Sequence, residues 1–279
     1  MASGQQQRLP GPAGRGLRRC ARGVAALVLA AVFMTAAAGA VEAAETAALY
    51  EARWAGLPAA QIRLAFSETA DSYRNEIAIT AEGLARLFTH FRGTAAAEGR
   101  LARDRLPAPL HFDAHYDLRK RRDRRLSMRF LARGGAVFAD RGAGDTSRKP
   151  PLPAAFRRDV VDPLSAVTAI RDRLRRDRRA AFTVPVYDGA RRFDVNVRIL
   201  PKTSAADPRL HLALSLRPIA GFKGETSEDG DPDDSPRPVA LTMTDDARLM
   251  PLAMRVSIYY LPLTVELTQW CSAGARCGW

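Results

Sequence analysis

The sequence has few of the residues and motifs that carry out chemistry. Its 279 residues include only three cysteines and four histidines. It has no Gly-x-Ser-x-Gly nucleophile motif, no His-Glu-x-x-His zinc motif and no phosphate-binding loop. The enzyme classes that depend on these motifs are therefore not indicated, and we expect no cofactor. The sequence leaves catalysis open and favours a protein that is not an enzyme.

Long hydrophobic runs are also scarce, and the most prominent one spans residues 24–34. Arginines precede this run from Arg15 to Arg22, and small residues follow it up to Ala40. A basic start, a short apolar run and a small-residue exit are typical of a secretory signal peptide. The run is shorter than the ~20 residues that a membrane-spanning helix needs. We therefore expect residues 1–40 to be a signal peptide.

This interpretation predicts an exported, periplasmic protein that is not transmembrane after cleavage. Cleavage after Ala40 and cleavage after Ala43 both fit the small-residue pattern, and a retained N-terminal anchor is the alternative. The five arginines of residues 1–40 leave with the signal peptide, which lowers the formal charge from +13 to +8.

The basic run at residues 119–122 has no aromatic RNA-binding motif beside it. We expect a solvated turn there and no nucleic-acid partner.

Removal of residues 1–40 leaves two cysteines, Cys271 and Cys277. In an oxidising compartment a short loop of this kind can be closed by a disulfide. The spacing is neither that of a zinc knuckle nor that of a redox Cys-x-x-Cys. We therefore predict a disulfide that staples a C-terminal tail, residues 271–279.

Apolar and more polar side chains alternate along most of the remaining chain. Ile62, Leu64 and Phe66 show this pattern, and similar runs recur up to residue 268. Alternation with a period of two marks strands with one dry and one wet face. Many such runs joined by short turns predict an all-β domain over residues 41–270, built as a strongly curved antiparallel sheet or a partly closed barrel.

One segment follows a helical period instead. Asp162 can cap the first free N–H groups, and Pro163 suits the first helical position. An apolar stripe with helical spacing then predicts one α-helix that crosses the sheet, with its arginine-rich side facing solvent. The residues of this stripe are Leu164, Val167, Ile170 and Leu174.

Two polar segments were candidates for metal binding. Residues 224–238 are rich in Asp and Glu, but they lack the ligand pattern of a helix–loop–helix calcium site, and we expect a flexible loop. His111, Asp113, His115 and Asp117 would share one face of a strand. Residues i and i+4 of a strand lie ~13 Å apart, so one ion cannot join both histidines. We expect no metal site at either segment.

Four short segments occur in an order that is characteristic of a known family. They are residues 50–60, 162–171, 187–195 and 244–251. Together they resemble the bacterial exported domain-of-unknown-function family numbered 3108, over Leu49 to Thr268. The resemblance implies a mostly β periplasmic domain and supplies no catalytic residues.

Two functions follow from these observations as hypotheses. The first is a non-enzymatic binding or envelope-assembly factor, because a curved sheet with an apolar inner face offers a groove for lipid, peptide or glycan. The second is a hydrolase of cell-wall or surface glycan that uses acids brought together by folding. A wet cleft with paired acids would favour the hydrolase, and a dry apolar groove would favour the binding protein. The sequence identifies neither the ligand nor a protein partner.

Overall fold

The computed structural model describes most of the chain after residue 43. The ranges are 44–83, 86, 91–102, 105–117, 123–131, 135, 137–141, 151–202, 204, 206–222, 236–258, 260–272 and 277. The predicted signal peptide, the basic run at 119–122 and the acidic residues 224–235 lie outside these ranges. Among the described residues, no helix has both the length and the apolar character that a membrane span requires.

The described residues form a mainly β fold, as predicted. Thirteen strands and one long α-helix, α1, succeed each other along this part of the chain. Their bounds are β1 Ala44–Trp54, β2 Leu57–Glu68, β3 Ser72–Ala81, β4 Arg92–Arg100, β5 Ala108–Asp117, β6 Asp123–Arg129, β7 Phe138–Arg141, α1 Pro163–Arg176, β8 Phe182–Tyr187, β9 Arg192–Ile199, β10 Arg209–Ala220, β11 Arg237–Thr244, β12 Pro251–Ile258 and β13 Leu261–Ser272.

All thirteen strands belong to one antiparallel sheet. The strand order is β7-β6-β5-β4-β3-β2-β1-β13-β12-β11-β10-β9-β8, so the first strand lies at the centre and the two edges are β7 and β8. The edges do not pair with each other, and the sheet is therefore not closed. Pro185 lies in edge strand β8, as a proline without a backbone donor should.

The sheet curls around α1. Tyr187, at the end of β8, packs in one buried cluster with Phe112 of β5 and Met128 of β6, although these strands lie far apart in the sheet order. Leu164 of α1 joins the same cluster. Ile170 and Leu174 pack in a second cluster with β8 to β11. The helix therefore fills the concave inner face instead of covering it from outside.

This enclosure alters the expected surface of the helix. Leu164, Ile170 and Leu174 are buried and Val167 is half-buried, but the residue Arg171 is also buried, with 4% exposure. The expectation that the arginine side faces solvent is wrong at this position. Helical spacing reveals an apolar stripe, but it does not reveal that strands surround the helix on several sides.

Two segment boundaries also differ from the sequence prediction. Strand β11 begins at Arg237, within the predicted flexible loop 224–238. Strand β13 runs to Ser272, beyond the predicted end of the domain at residue 270. In both cases backbone hydrogen bonds to a neighbouring strand, β10 for β11 and β1 for β13, extend the strand beyond its apolar pattern. This pairing does not depend on whether the side chains are apolar.

Candidate functional site

A groove of about 890 Å³ runs along the sheet from β1 to β7. Register and alternation place it on the outer face, away from α1. Leu64, Ile77 and Leu126 point inwards, because they pack against the cluster that contains Leu164. Most residues that line the groove alternate with these inward positions along their strands. We call this feature the outer groove.

The floor of the outer groove is formed by small side chains. Ala65, Ala78 and Ala96 alternate with the inward residues of β2, β3 and β4, so they point outwards, and their small side chains leave room above the backbone. Ala47 of β1 continues this floor, directly opposite Ala65. These alanines lie in two neighbouring cross-strand rows and give the outer face a depression that larger side chains would fill.

Charged side chains of both signs flank the floor. One cross-strand row runs from Glu76 on β3 through Ala96, Asp113 and Ser127 to Asp140 on β7. These three acids are exposed to solvent.

A parallel row carries the basic groups of the groove. It begins at Arg63 on β2 and ends with His115 on β5 and Arg125 on β6. All three residues are exposed to solvent. The groove can therefore contact positive and negative groups of a ligand at the same time.

The histidine-rich segment of β5 lies along this groove. Asp113 and His115 line the groove, and His111 is exposed on the same strand. Opposite His111 lies Glu98, and opposite His115 lie Thr94 and Arg125. Within the described residues no three His, Cys, Asp or Glu side chains converge on a point that could hold an ion.

The inner face contains a buried polar network at the start of α1. Asp162 Oδ1 accepts the backbone N–H groups of Leu164 at 2.9 Å and Ser165 at 2.8 Å, which is the arrangement of a helix N-cap. Ser165 Oγ donates to Asp162 Oδ2, and Tyr73 donates its hydroxyl to Ser165 Oγ at 2.7 Å. Burial raises the pKa of Asp162 to about 6, against the opposing effect of these hydrogen bonds.

Asn75 connects β3 to the same helix. Its Nδ2 donates to the carbonyl oxygen of Leu164 at 3.0 Å and to Thr168 Oγ1 at 2.7 Å. Burial also raises the pKa of Tyr73 above its usual value, so its hydroxyl keeps its proton. The network therefore acts as a hydrogen-bonded joint between strand and helix.

The network has a hydroxyl beside a carboxyl, but its position excludes substrate. Asp162, Ser165 and Asn75 are each 0% exposed, and Tyr73 is 3% exposed. Among the described residues, the hydroxyl of Ser165 bonds to Tyr73 and Asp162, and no histidine is positioned there to accept its proton. A nucleophile must reach the reacting atom of a substrate, and a sealed hydroxyl cannot. These residues therefore stabilise the fold.

A second buried connection anchors the middle of α1. The Arg171 guanidinium pairs with Glu68 of β2, donates to the carbonyl oxygen of Arg248 at 2.8 Å and lies 4.5 Å from the ring centre of Phe66. Arg175 pairs with the other oxygen of Glu68 at 2.7 Å. Burial lowers the pKa of Arg171, and the nearby Glu68 carboxylate opposes that effect.

Sequence analysis did not identify Tyr73, Asn75 or Glu68. A signal for two of them is present in the strand pattern. Tyr73 and Asn75 occupy the same alternate positions as Ile77 and Ile79, so alternation places both on the inner face. A polar residue at an inward position needs a hydrogen-bond partner, and that requirement marks Asn75. Nothing in the local sequence marks Glu68.

The tail contains the predicted cysteine pair. Cys271 lies in β13 opposite Ala47, and its sulfur is bonded to that of Cys277, with the two Cα atoms 6.0 Å apart. This Cα separation is within the range of protein disulfides. Oxidation of the pair in the cell stays a prediction.

The fold and these sites define a class of protein: an open, curled antiparallel sheet around one α-helix, with a groove on its outer face. The sequence matches the family described as "Protein of unknown function (DUF3108)" over residues 49–268. The chain belongs to that family, and the resemblance inferred from four short segments is confirmed. No curated protein matches the sequence.

A solved structure is also similar. It is the beta-barrel-like protein of domain of unknown function DUF1849 from Brucella abortus. The similarity covers 84% of this chain and 100% of that chain, with 9% sequence identity and a TM-score of 0.49.

Proposed function

We propose that this protein is a non-enzymatic binding protein of the bacterial periplasm and that its ligand occupies the outer groove. The observation that carries the proposal is the groove itself. Its volume of about 890 Å³ falls within the ~300–1,000 Å³ of typical ligand sites. The inner face, which we first considered for ligand binding, is filled by α1.

The lining favours an extended peptide over a lipid or a glycan. Aromatic side chains, which provide flat apolar surface for sugar rings, are absent from the described residues that line the groove. An acyl chain carries no group that could interact with the exposed charges of Arg63 and Asp113. A peptide carries charged groups of both signs and can match both rows.

The dimensions suit a short segment. The groove crosses seven neighbouring strands, which are spaced ~4.8 Å apart, so it is about 29 Å long. An extended peptide advances ~3.3 Å per residue, and about nine residues would fill that length. The natural probe is therefore a fluorescent library of nine-residue peptides, measured by anisotropy.

A bulky residue on the groove floor tests the site. Ala96→Trp should abolish binding of peptides that the unaltered protein binds, because Ala96 lies between Glu76 and Asp113 on the floor. Ala240→Trp is the matched control, since Ala240 is an exposed alanine of β11 outside the groove. Equal binding by both variants would contradict the proposal. Lipid or glycan identified by mass spectrometry on the purified protein would replace the peptide as ligand.

Export rests on the N-terminal sequence. The basic residues from Arg15 to Arg22 and the apolar run 24–34 support a signal peptide, and the cysteine pair suits an oxidising compartment. N-terminal sequencing of protein from the periplasmic fraction should find residue 41 or 44 first. Recovery of the intact chain from the cytoplasm would overturn this part of the proposal.

A glycan hydrolase is the second candidate, because the outer groove is open to water and carries exposed acids, which is the arrangement a hydrolase would require. Glu76 and Asp113 share the groove row and are two strands apart, which separates their Cα atoms by ~10 Å. Inverting glycosidases hold two carboxyl groups ~6.5–9.5 Å apart around a water molecule.

The surroundings of Glu76 weaken this candidate. Its carboxylate is already engaged in a salt bridge with Arg74 at 2.7 Å. Release of reducing sugar from peptidoglycan or surface glycan, lost in Asp113→Asn, would establish the hydrolase. No release by the unaltered protein would reject it.

A further inference from the structure

The ends of two neighbouring hairpins carry exposed apolar side chains. Strands β1 and β2 join at Ala55–Gly56, and β12 and β13 join beside Tyr260. The exposed fractions are 42% for Trp54, 54% for Leu57, 75% for Tyr260 and 42% for Leu261. We call these four residues the hairpin rim. They lie outside the outer groove.

Register shows that the rim is one continuous surface. Leu57 lies opposite Trp54, Trp54 opposite Leu263 and Leu263 opposite Val256, which forms an apolar row across four adjacent strands. Trp54 lies on the same face of β1 as the buried residues Ala52 and Tyr50. The rim therefore continues the inner apolar face past the point where the rest of the protein covers it.

The two turns are held together. The N–H of Ala55 donates to the carbonyl oxygen of Pro262 at 2.8 Å, and Trp54 Nε1 lies 3.4 Å from the carbonyl oxygen of Ile258. The exposed side chains of the two turns are therefore held side by side on one surface.

Backbone conformation gives a second, independent observation. Tyr260 has φ of +62° and Ala55 has φ of +50°, which is the left-handed region that glycine or asparagine normally occupies in hairpin turns. A large aromatic residue there adds conformational cost and gains no burial, because Tyr260 is three-quarters exposed. Residues held in such conformations are concentrated at functional sites, such as those that bind a ligand.

We propose that the hairpin rim docks on the interfacial region of a phospholipid bilayer. Tryptophan and tyrosine prefer the membrane–water interface, because each has an apolar body and a polar tip. Leu57 and Leu261 beside them can enter the acyl region. Arg255, which is exposed and lies one position from the rim row, can reach anionic head groups, and so can Arg53 if it exchanges its exposed salt bridge with Glu51 (3.0 Å) for a phosphate.

The size of the rim favours a bilayer over a protein partner. Four partly exposed side chains of this kind offer roughly 400 Å² of apolar surface, given the 150–250 Å² that a whole aromatic side chain can bury. A stable protein interface needs about 800 Å² on each partner. A bilayer has no such threshold, because each inserted side chain adds its own transfer free energy.

The experiment is sedimentation with vesicles of phosphatidylethanolamine and phosphatidylglycerol, using the full chain. The variant combines Leu57→Ser with Tyr260→Gly. Glycine accepts positive φ, so this half of the variant also relieves backbone cost. The matched control is Phe138→Ser, which removes an exposed apolar side chain (62%) from β7, away from the rim. All three proteins carry the same N-terminal segment, whose own lipid affinity is therefore common to them.

The proposal predicts that the double variant partitions to vesicles about tenfold more weakly than the unaltered protein, while Phe138→Ser changes partition less than twofold. Quenching by brominated lipid should show tryptophan in contact with acyl chains, and Trp54→Phe should remove most of that quenching.

Equal partition of the double variant and the control would overturn the proposal. It would also be overturned if lipid left the vesicles in a soluble complex with the protein, because the rim would then be the mouth of a single-lipid site. The outer groove plays no part in this experiment. If the rim did not bind vesicles, the proposal that the groove binds peptide would therefore be unaffected and could be tested separately.

Discussion

The hydroxyl oxygen of Tyr73 lies 2.7 Å from Oγ of Ser165, and this hydrogen bond joins strand β3 to the first turn of the buried helix. Ser165 in turn donates to the carboxyl group of Asp162, which is fully buried. The joint between sheet and helix therefore depends on a carboxyl that the protein keeps away from water. Because the helix fills the sheet, changes at this joint should affect the stability of the whole domain.

The buried carboxyl should make stability depend on pH. The pKa of Asp162 rises from 3.8 to about 6 on folding, so the folded state holds this proton more tightly than the unfolded state. Its contribution is complete below pH ~4 and is lost as the pH rises through about 6. The loss should be on the order of 1–3 kcal/mol.

Asp162→Asn isolates this effect, because it keeps the acceptor oxygen and cannot ionise. The unaltered protein should lose stability relative to Asp162→Asn between pH 4.5 and pH 7.5, measured by chemical denaturation. A constant difference across that range would show that the carboxyl does not titrate there.

The Arg171–Glu68 pair makes a second prediction possible. Arg171→Ala should destabilise the protein by about 3–5 kcal/mol, because it leaves the Glu68 carboxylate buried beside fewer cations. Replacing both residues, as Arg171→Met with Glu68→Gln, should cost clearly less than Arg171→Ala alone. Urea unfolding of the two variants measures the difference. If the double replacement is the worse of the two, the pair contributes net stability of its own.

The helix core gives a third prediction. Leu164→Ala or Ile170→Ala should each cost about 2–5 kcal/mol, because both side chains are buried in clusters shared with the sheet. Arg176→Ala should cost about 0–1 kcal/mol, since Arg176 is exposed at the end of the helix. Thermal shifts of equal size for both kinds of substitution would be inconsistent with a helix packed inside the sheet.

The sequence predicted those parts of the fold that local patterns control. Alternation identified the strands, and the Asp162–Pro163 pair with its apolar stripe identified the helix and its start. It did not predict that Arg171 would be buried, because its partner Glu68 is 103 residues away in the chain. Long-range pairing of this kind depends on the curl of the sheet.

The outer groove could be predicted only in part, for a related reason. Alternation places Ala65, Ala78 and Ala96 outwards one by one. Strand register then places Ala65 and Ala96 in one cross-strand row, on either side of Glu76, and Ala78 in the neighbouring row. Register depends on turn geometry and on pairing along the whole ladder. The histidine-rich segment of β5 lies beside this groove because the neighbouring strands β4 and β6 pair with it, and its local sequence does not encode that position.

The C-terminal cysteines provide a fourth prediction. Cys271 and Cys277 should both resist thiol labelling in denatured, unreduced protein, and both should react after reduction. The closed loop is short, so its stabilisation should be about 2 kcal/mol in the loop-entropy model. Serine at both positions should lower the melting temperature slightly and leave ligand binding unchanged. Quantitative labelling without reductant would exclude the disulfide.

The central claim is that the outer groove is the ligand site, and peptide binding to the paired tryptophan variants tests it most directly. Anisotropy with nine-residue peptides should show saturable binding to the unaltered protein and to Ala240→Trp, and no binding to Ala96→Trp. Thermal melts of the two variants should match within a few degrees, so that a loss of binding reports on the groove and not on folding. Peptide binding that survives in Ala96→Trp, or that is lost equally in both variants, would contradict the account.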